Sequence, residues 1–158
     1  MPPPIRPAVL SDAPLISDLI REVAAELGWP RPEDPSETES QVAAQLEACL
    51  KDPNSHSVLV ATEAGRVVGY LSVHWLPYLL LPGPVGYVSE LFVRTEARSA
   101  GCGGALLARA EAEGRARGGF RLELLNKRDR ESYRRGFYAK QGWSEREDLA
   151  VFNRSLRD

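Results

Sequence analysis

The chain has 158 residues, a length that suits one domain. Apolar residues make up 43% and charged residues 27%, with 13 Gly and 12 Pro, which excludes a fibrous or low-complexity chain. Lys and Arg total 20 against 22 Asp and Glu, a net charge of −2, so the basic excess of a nucleic-acid binder is missing and no such partner is expected. Two cysteines, Cys49 and Cys102, make neither a disulfide framework nor a four-ligand zinc set. They suit a reducing compartment, and a cytoplasmic location is the expectation. The residues after Met1 show no charged leader followed by an apolar stretch. The longest apolar cluster, Trp75 to Leu81, is broken by Pro77 and is too short to span a bilayer, so no membrane partner is expected.

In chain order, Ile5 to Leu10 reads as a short first strand, with Pro7 marking an edge or irregular start. Ser11 or Asp12 can cap the next helix, and Pro14 fits its first turn. Leu15, Leu19 and Val23, with Ile16, Ile20 and Leu27, recur at helical spacing until Gly28. Residues 29–35 hold three prolines and read as a loop. Ser36 with Glu39 has the pattern of a capping box, which predicts a second helix carrying Val42, Leu46 and Leu50. From Ser57 the period changes to that of strands. Val58 to Ala61 and Val67 to Trp75 predict an antiparallel hairpin turning at Ala64-Gly65. A proline-rich loop follows, then a third β run over Tyr87 to Arg94. A helix is predicted from about Ala105 to Arg117, stopped by Gly118-Gly119. Phe120 to Leu125 alternates as a strand, which makes the strand–helix–strand unit a right-handed parallel crossover. Glu131 to Gln141 predicts a last helix, and residues 143–156 predict one or two closing strands. The order βααβββαβαβ, with room for a further strand, is an α/β chain with a mixed sheet.

Gly101, Gly103 and Gly104 fall between a strand and a helix. Glycines let the backbone approach a ligand closely, and free amides at a helix N-terminus favour an anion. A phosphate or pyrophosphate is the natural guest, with Arg98 able to add a charged contact. No Gly-Lys-Ser/Thr is present, so this is not a P-loop. Leu106 stands where a dinucleotide fingerprint needs Gly or Ala. A ligand-free flexible turn remains the alternative.

The run from Glu90 to Leu107 resembles the acetyl-CoA loop of the GNAT N-acetyltransferase superfamily, whose Arg/Gln-x-x-Gly-x-Gly/Ala pattern is matched by Arg98, Gly101 and Gly103. Phe137-Tyr138-Ala-Lys-Gln-Gly142-Trp143 resembles the family's Phe-Tyr-x-x-x-Gly-Phe segment, and Ile5-Arg-Pro-Ala with Asp12-Ala its usual opening. The element order agrees over essentially the whole chain. The resemblance implies a mixed, mostly antiparallel central sheet with flanking helices, and residues 1–158 as a single acetyl-CoA-dependent N-acetyltransferase domain. It implies that acetyl is moved from acetyl-CoA to an amine by direct attack in a ternary complex.

The cofactor contacts it implies are Leu91, Phe92 and Val93 along the strand, and Arg98, Ser99, Ala100, Gly101, Cys102, Gly103 and Gly104 around the pyrophosphate. The family's strands splay at this point, here Tyr87–Val93 from Phe120–Leu125, and a backbone amide near Leu91 would polarise the thioester. Tyr138 matches the tyrosine that protonates departing CoA, since a phenol of pKa about 10 can supply a proton to a thiolate. Glu90 is the candidate general base, or else a binder of a cationic acceptor. Strand alternation gives Glu90 and Ser89 opposite facings unless a bulge intervenes, and the family has one here. Tyr87 and Ser89 are fallback water-relay residues. The chain departs from the family's Asn-x-x-Ala pattern: Glu131 stands at the Asn position, and Asn126 is the remaining candidate for that cofactor contact.

Cys102 could have a pKa lowered by the helix N-terminus, or could simply fill a tight turn. Cys49 is expected in the core. His56 and His74 have no partner at metal-ligand spacing, so no metal site is expected. Lys127, Arg128 and Arg130 with Arg134 and Arg135 form a solvated face or reach a CoA phosphate. Leu79 to Leu81 suggest a hydrophobic acceptor, a lid or a homodimer contact. The expected acceptor is a small-molecule amine. The alternatives are a protein amine, a non-catalytic acyl-CoA-binding sensor, and an unrelated phosphate-loop nucleotide binder.

Overall fold

The computed structural model describes residues 1–157; one compact unit is Met1–Leu125 and a second begins at Asn126. The first unit holds a five-stranded sheet in the order β1-β2-β3-β4-β5: β1 Ile5–Pro7, β2 His56–Glu63, β3 Arg66–Leu76, β4 Val85–Val93 and β5 Arg121–Leu124. The first four strands pair antiparallel and β5 joins β4 parallel, as the strand–helix–strand pattern requires. The sheet is therefore mixed and mostly antiparallel. The β2–β3 turn falls at Ala64 and Gly65, both at positive φ (47° and 76°), the backbone that tight hairpins use.

Helices α1 (Ala13–Leu27) and α2 (Pro35–Lys51) pack beside strands β2 and β3. In α1, Ile16, Leu19 and Val23 are buried, whereas Leu27, placed on the same stripe by spacing, is exposed. Gly28 ends α1 in the left-handed conformation at φ 69°. Asp12 precedes α1 but does not cap it with its side chain. Its carboxylate takes a two-pronged contact from Arg6 (2.7 and 2.8 Å) and accepts from the Val9 amide. Helix α2 starts earlier than the Ser36/Glu39 pattern predicts. Asp34 is the cap, accepting from the Ser36 amide at 2.9 Å, and Pro35 takes the first helical position.

The core behind α1 and α2 is built from Ala8, Ala13, Ile16, Leu19, Val23, Leu46, Val60, Val67 and Tyr70. Helix α3 (Cys102–Ala116) buries Cys102, Leu106, Leu107, Ala110 and Gly114. Gly114 and Gly86 leave room for the Trp75 indole: a Cβ on Gly86 would lie 2.5 Å from that ring and 2.3 Å from Leu122.

In the second unit the expected helix over 131–141 is two single turns, α4 (Glu131–Arg134) and α5 (Phe137–Lys140). Gly136 interrupts them at φ 65°. The expected closing strands are absent among the described residues, because 143–157 carry no strand.

Candidate active site

One face of the sheet carries a polar column. Alternation on β3 puts Tyr70, Ser72 and His74 on the same side, with Val58 and His56 opposite them on β2. On β4 the partners are Phe92 for Tyr70, Glu90 for Ser72 and Tyr87 for His74. Glu90 and Tyr87 are three residues apart and would face opposite ways in a regular strand. The β3–β4 register shifts between Ser72 and Val73, leaving Ser89 as the extra residue. This bulge, placed where the resemblance implies one, resets the alternation and turns Glu90 toward the helices.

Helices α1 and α2 cover this column and enclose a pocket of about 320 Å³. Its charged lining is Arg31, from the α1–α2 loop, and Glu90. Gln41, Gln45 and Cys49 of α2 add polar groups, and Ile16, Ile20, Val42 and Leu46 supply apolar walls. Glu90 is exposed by surface area, yet enough protein surrounds its carboxyl that desolvation raises its pKa above the usual value. Tyr70 and Arg31 pull the other way. The Tyr70 hydroxyl is buried and makes no hydrogen bond of ordinary geometry. Its pKa is pushed well above 10, first by burial and then by the Glu90 charge. Tyr70 thus stays a neutral phenol beside a carboxylate that holds protons more tightly than most.

Beyond the bulge, Leu91, Phe92 and Val93 pair with Leu71, Tyr70 and Gly69 of β3. On the other side β5 follows β4 only over Val85 to Val88. The ladder ends at Leu124, the last residue of β5, so β5 does not pair with residues 89–93.

The chain then makes a short 3-10 turn, Thr95–Ala97, and enters α3. Ser99 (φ 66°) and Gly101 (φ 81°) are both left-handed, an uncommon state for serine. No side chain caps α3 and its first turn holds no acidic residue. Its leading amides therefore lack intrahelical acceptors in a positive local field, which fits a pyrophosphate.

Arg98 has a different geometry from the expected phosphate contact. Its guanidinium forks onto Glu26 of α1, and its Nε donates to the Val93 carbonyl at 3.0 Å. Buried Arg94 repeats the device one turn earlier, pairing with Glu22 and donating to the Val67 carbonyl. These two arginines tie the loop to α1. Cys102 is 1% exposed, and its thiol is pushed up to about 11 by burial and by Glu63. The lowering considered for it at the helix N-terminus does not occur; it fills space against Gly69.

In the second unit, Tyr138 lies on α5 with its ring against Phe137 and Trp143. Burial raises its pKa above 10, so the phenol keeps its proton at neutral pH. Asn126 accepts from Ser132 Oγ at 3.3 Å, while its amide nitrogen is buried without a partner. Arg128 pairs with Glu145, which also accepts from Tyr133.

The sequence reading missed Tyr70, Gln41 and Gln45. The hairpin alternation would have placed Tyr70 on one face with His74, but only the packing of α2 brings the glutamines over it. It also left His56 and His74 without a ligand-spaced partner. The hairpin register makes them direct neighbours, and Cys49 of α2 joins them.

A family model described as the acetyltransferase (GNAT) family matches residues 19–143. The aminoalkylphosphonate N-acetyltransferase of Salmonella typhimurium is 37% identical over 99 residues, which span 62% of this chain and 62% of that enzyme. The match thus covers under two thirds of the relative's length. A transcriptional regulator from Bacillus halodurans superposes with a TM-score of 0.81 at 20% identity, covering 98% of this chain and 99% of that one. Glucosamine-6-phosphate N-acetyltransferase from Arabidopsis thaliana does so with a TM-score of 0.77 at 16% identity, over 98% of both chains. At these identities the structural likeness speaks for the fold. The sheet and its loop-opened helix are those of an acetyltransferase fold. The chain belongs to the GNAT acetyltransferase family.

Proposed function

We propose that the chain is an N-acetyltransferase that moves the acetyl group of acetyl-CoA to the amine of a small-molecule acceptor, by direct attack within a ternary complex. The observation that carries this reading is the Ser89 bulge. It directs Glu90 into the pocket on the same strand whose following residues β5 does not pair.

Acetyl-CoA supplies an acetyl group activated as a thioester. The β4 segment Leu91, Phe92 and Val93, beyond the reach of β5, receives the pantetheine arm as an added strand would. The amides from Ser99 to Gly104 face the pyrophosphate, with Arg98 positioning that loop; the family resemblance makes Asn126 the candidate for a further cofactor contact. Glu90 pairs with the acceptor ammonium, then takes its proton, and the freed lone pair attacks the acetyl carbonyl. Raised basicity suits Glu90 to that transfer. A backbone amide near Leu91 donates to the carbonyl oxygen as negative charge develops there. Tyr138 delivers a proton to the departing sulfur.

The pocket volume suits a small molecule. Glu90 and Arg31 give it one charge of each sign, which matches an acceptor carrying an amine and an anionic group. The acceptor named for the Salmonella relative, an aminoalkylphosphonate, has both.

Calorimetric titration with acetyl-CoA, CoA, ATP and NAD tests the cofactor. Selective binding of acetyl-CoA and CoA is expected, and Gly103→Glu should abolish it by setting bulk and negative charge against the phosphates. Wild-type affinity in that variant would overturn the loop assignment. Thiol release should be faster with aminoalkyl acids than with the same amines lacking the anion. Binding without any turnover would select the sensor reading instead.

A further inference from the structure

At the end of the pocket where α2 runs into β2, three metal-ligating side chains from separate parts of the chain converge. His56 and His74 are register partners, their rings 5.0 Å apart and their Nδ1 atoms 2.8 Å apart. Cys49 comes from the last turn of α2. One ligand atom from each residue lies within 4.8 Å of the other two, and all three side chains are half-buried. The link from α2 to β2 is held, since the amides of Ser55 and His56 both donate to the Asp52 carbonyl at 3.1 Å. The three groups are therefore fixed from both directions.

Ser89 Oγ lies 2.8 Å from His74 Nε2 and 3.4 Å from the Ser72 carbonyl, which can only accept. In the tautomer with the proton on Nε2, Ser89 accepts from His74 and donates to that carbonyl, and the His74 Nδ1 lone pair faces His56 Nδ1. An imidazole held through its other N–H, with its free nitrogen turned toward two further ligand atoms, is the usual arrangement around a bound metal. The alternative is a plain hydrogen-bonded histidine pair with a thiol nearby.

We propose that Cys49 Sγ, His56 Nδ1 and His74 Nδ1 bind one divalent transition-metal ion, with zinc the best match to two imidazoles and a thiolate. On binding, the Cys49 thiol gives up its proton to solvent, and the His56 Nδ1 proton is lost while Nε2 takes one up. Metal bonds of about 2.0–2.1 Å to nitrogen and about 2.3 Å to sulfur require the imidazoles to part slightly and the thiol to close in. Side-chain rotation supplies both movements. Three protein ligands leave a fourth position open, and Cys49 and His74 line the pocket that also holds Glu90. The site stands or falls independently of the acetyl-transfer reading.

The test uses the full chain, purified under reducing conditions and stripped with chelator, then titrated with Co²⁺ as a spectroscopic stand-in for Zn²⁺. One equivalent should bind, with a near-ultraviolet thiolate-to-cobalt band and visible absorption of a four-coordinate ion, and Zn²⁺ should displace it. Cys49→Ser should remove the thiolate band, and His74→Gln should weaken binding at least tenfold. Each variant's thermal midpoint without metal should match the stripped wild type. His56→Asn gives a second reading should Cys49→Ser fail to fold. No saturable uptake would leave only a hydrogen-bonded histidine pair and overturn the site. A thiolate band that survives Cys49→Ser would overturn it too, by placing the metal on other ligands.

Discussion

Glu90 and Tyr138 carry the sharpest tests. Glu90→Gln keeps shape and removes the base, so turnover should fall about a hundredfold or more while acetyl-CoA affinity is held. The direction of its pKa sets the pH dependence. Only the carboxylate accepts a proton, and its pKa is raised, so kcat/KM should fall as pH drops through a value above the usual 4.3 or so. That acid limb should vanish in Glu90→Gln; an unchanged limb would assign it elsewhere. Tyr138→Phe should lower turnover at least tenfold with acetyl-CoA affinity near wild type, and unchanged turnover would remove Tyr138 as the acid. Both residues were legible because each sits inside a short pattern with its neighbours. Tyr70 was not, since its place beside Glu90 depends on the register of two strands and on a bulge.

At the scale of elements, the loop that opens α3 is tied to α1 by two arginine–glutamate pairs with matching spacing, Arg94 to Glu22 and Arg98 to Glu26. Arg94 is 3% exposed and Glu22 about half exposed. Glu22→Gln therefore leaves a buried guanidinium without its counter-charge and should cost about 3 kcal/mol in denaturant unfolding. A loss no larger than that of an exposed pair would show that Val67 alone satisfies Arg94. The glycine loop was visible in the sequence, but not that Arg98 faces α1, because the partner lies 72 residues away. Helix α2 was expected from the right stripe with the wrong cap, since Asp34-Pro35 outcompetes a Ser36 box that begins two residues later. The closing strands failed for a related reason. A β-rich run becomes a strand only where a sheet edge accepts it.

For the whole molecule, Arg6 and Asp12 join β1 to the start of α1, and the Asp12 side chain is 4% exposed. Its pKa is lowered chiefly by the hydrogen bond from Arg6. A lowered folded-state pKa contributes stability above the unfolded value, near 3.9, and that stability is lost as pH falls through the folded value. Asp12→Asn should cost about 2 kcal/mol at pH 7, and the gap to wild type should close below about pH 4. A gap independent of pH would mean that packing, not charge, is what Asp12 supplies. Composition, periodicity and glycine placement determined the element order as far as β5, the mixed sheet and the loop that opens α3, because these rest on neighbours within a few residues. The tertiary structure decided what shares a surface. The Ser89 bulge turns Glu90 inward, α2 lays two glutamines and Cys49 over β3, and the hairpin sets His56 against His74. Those meetings join residues far apart in the chain, and only packing and strand register bring them within bonding distance.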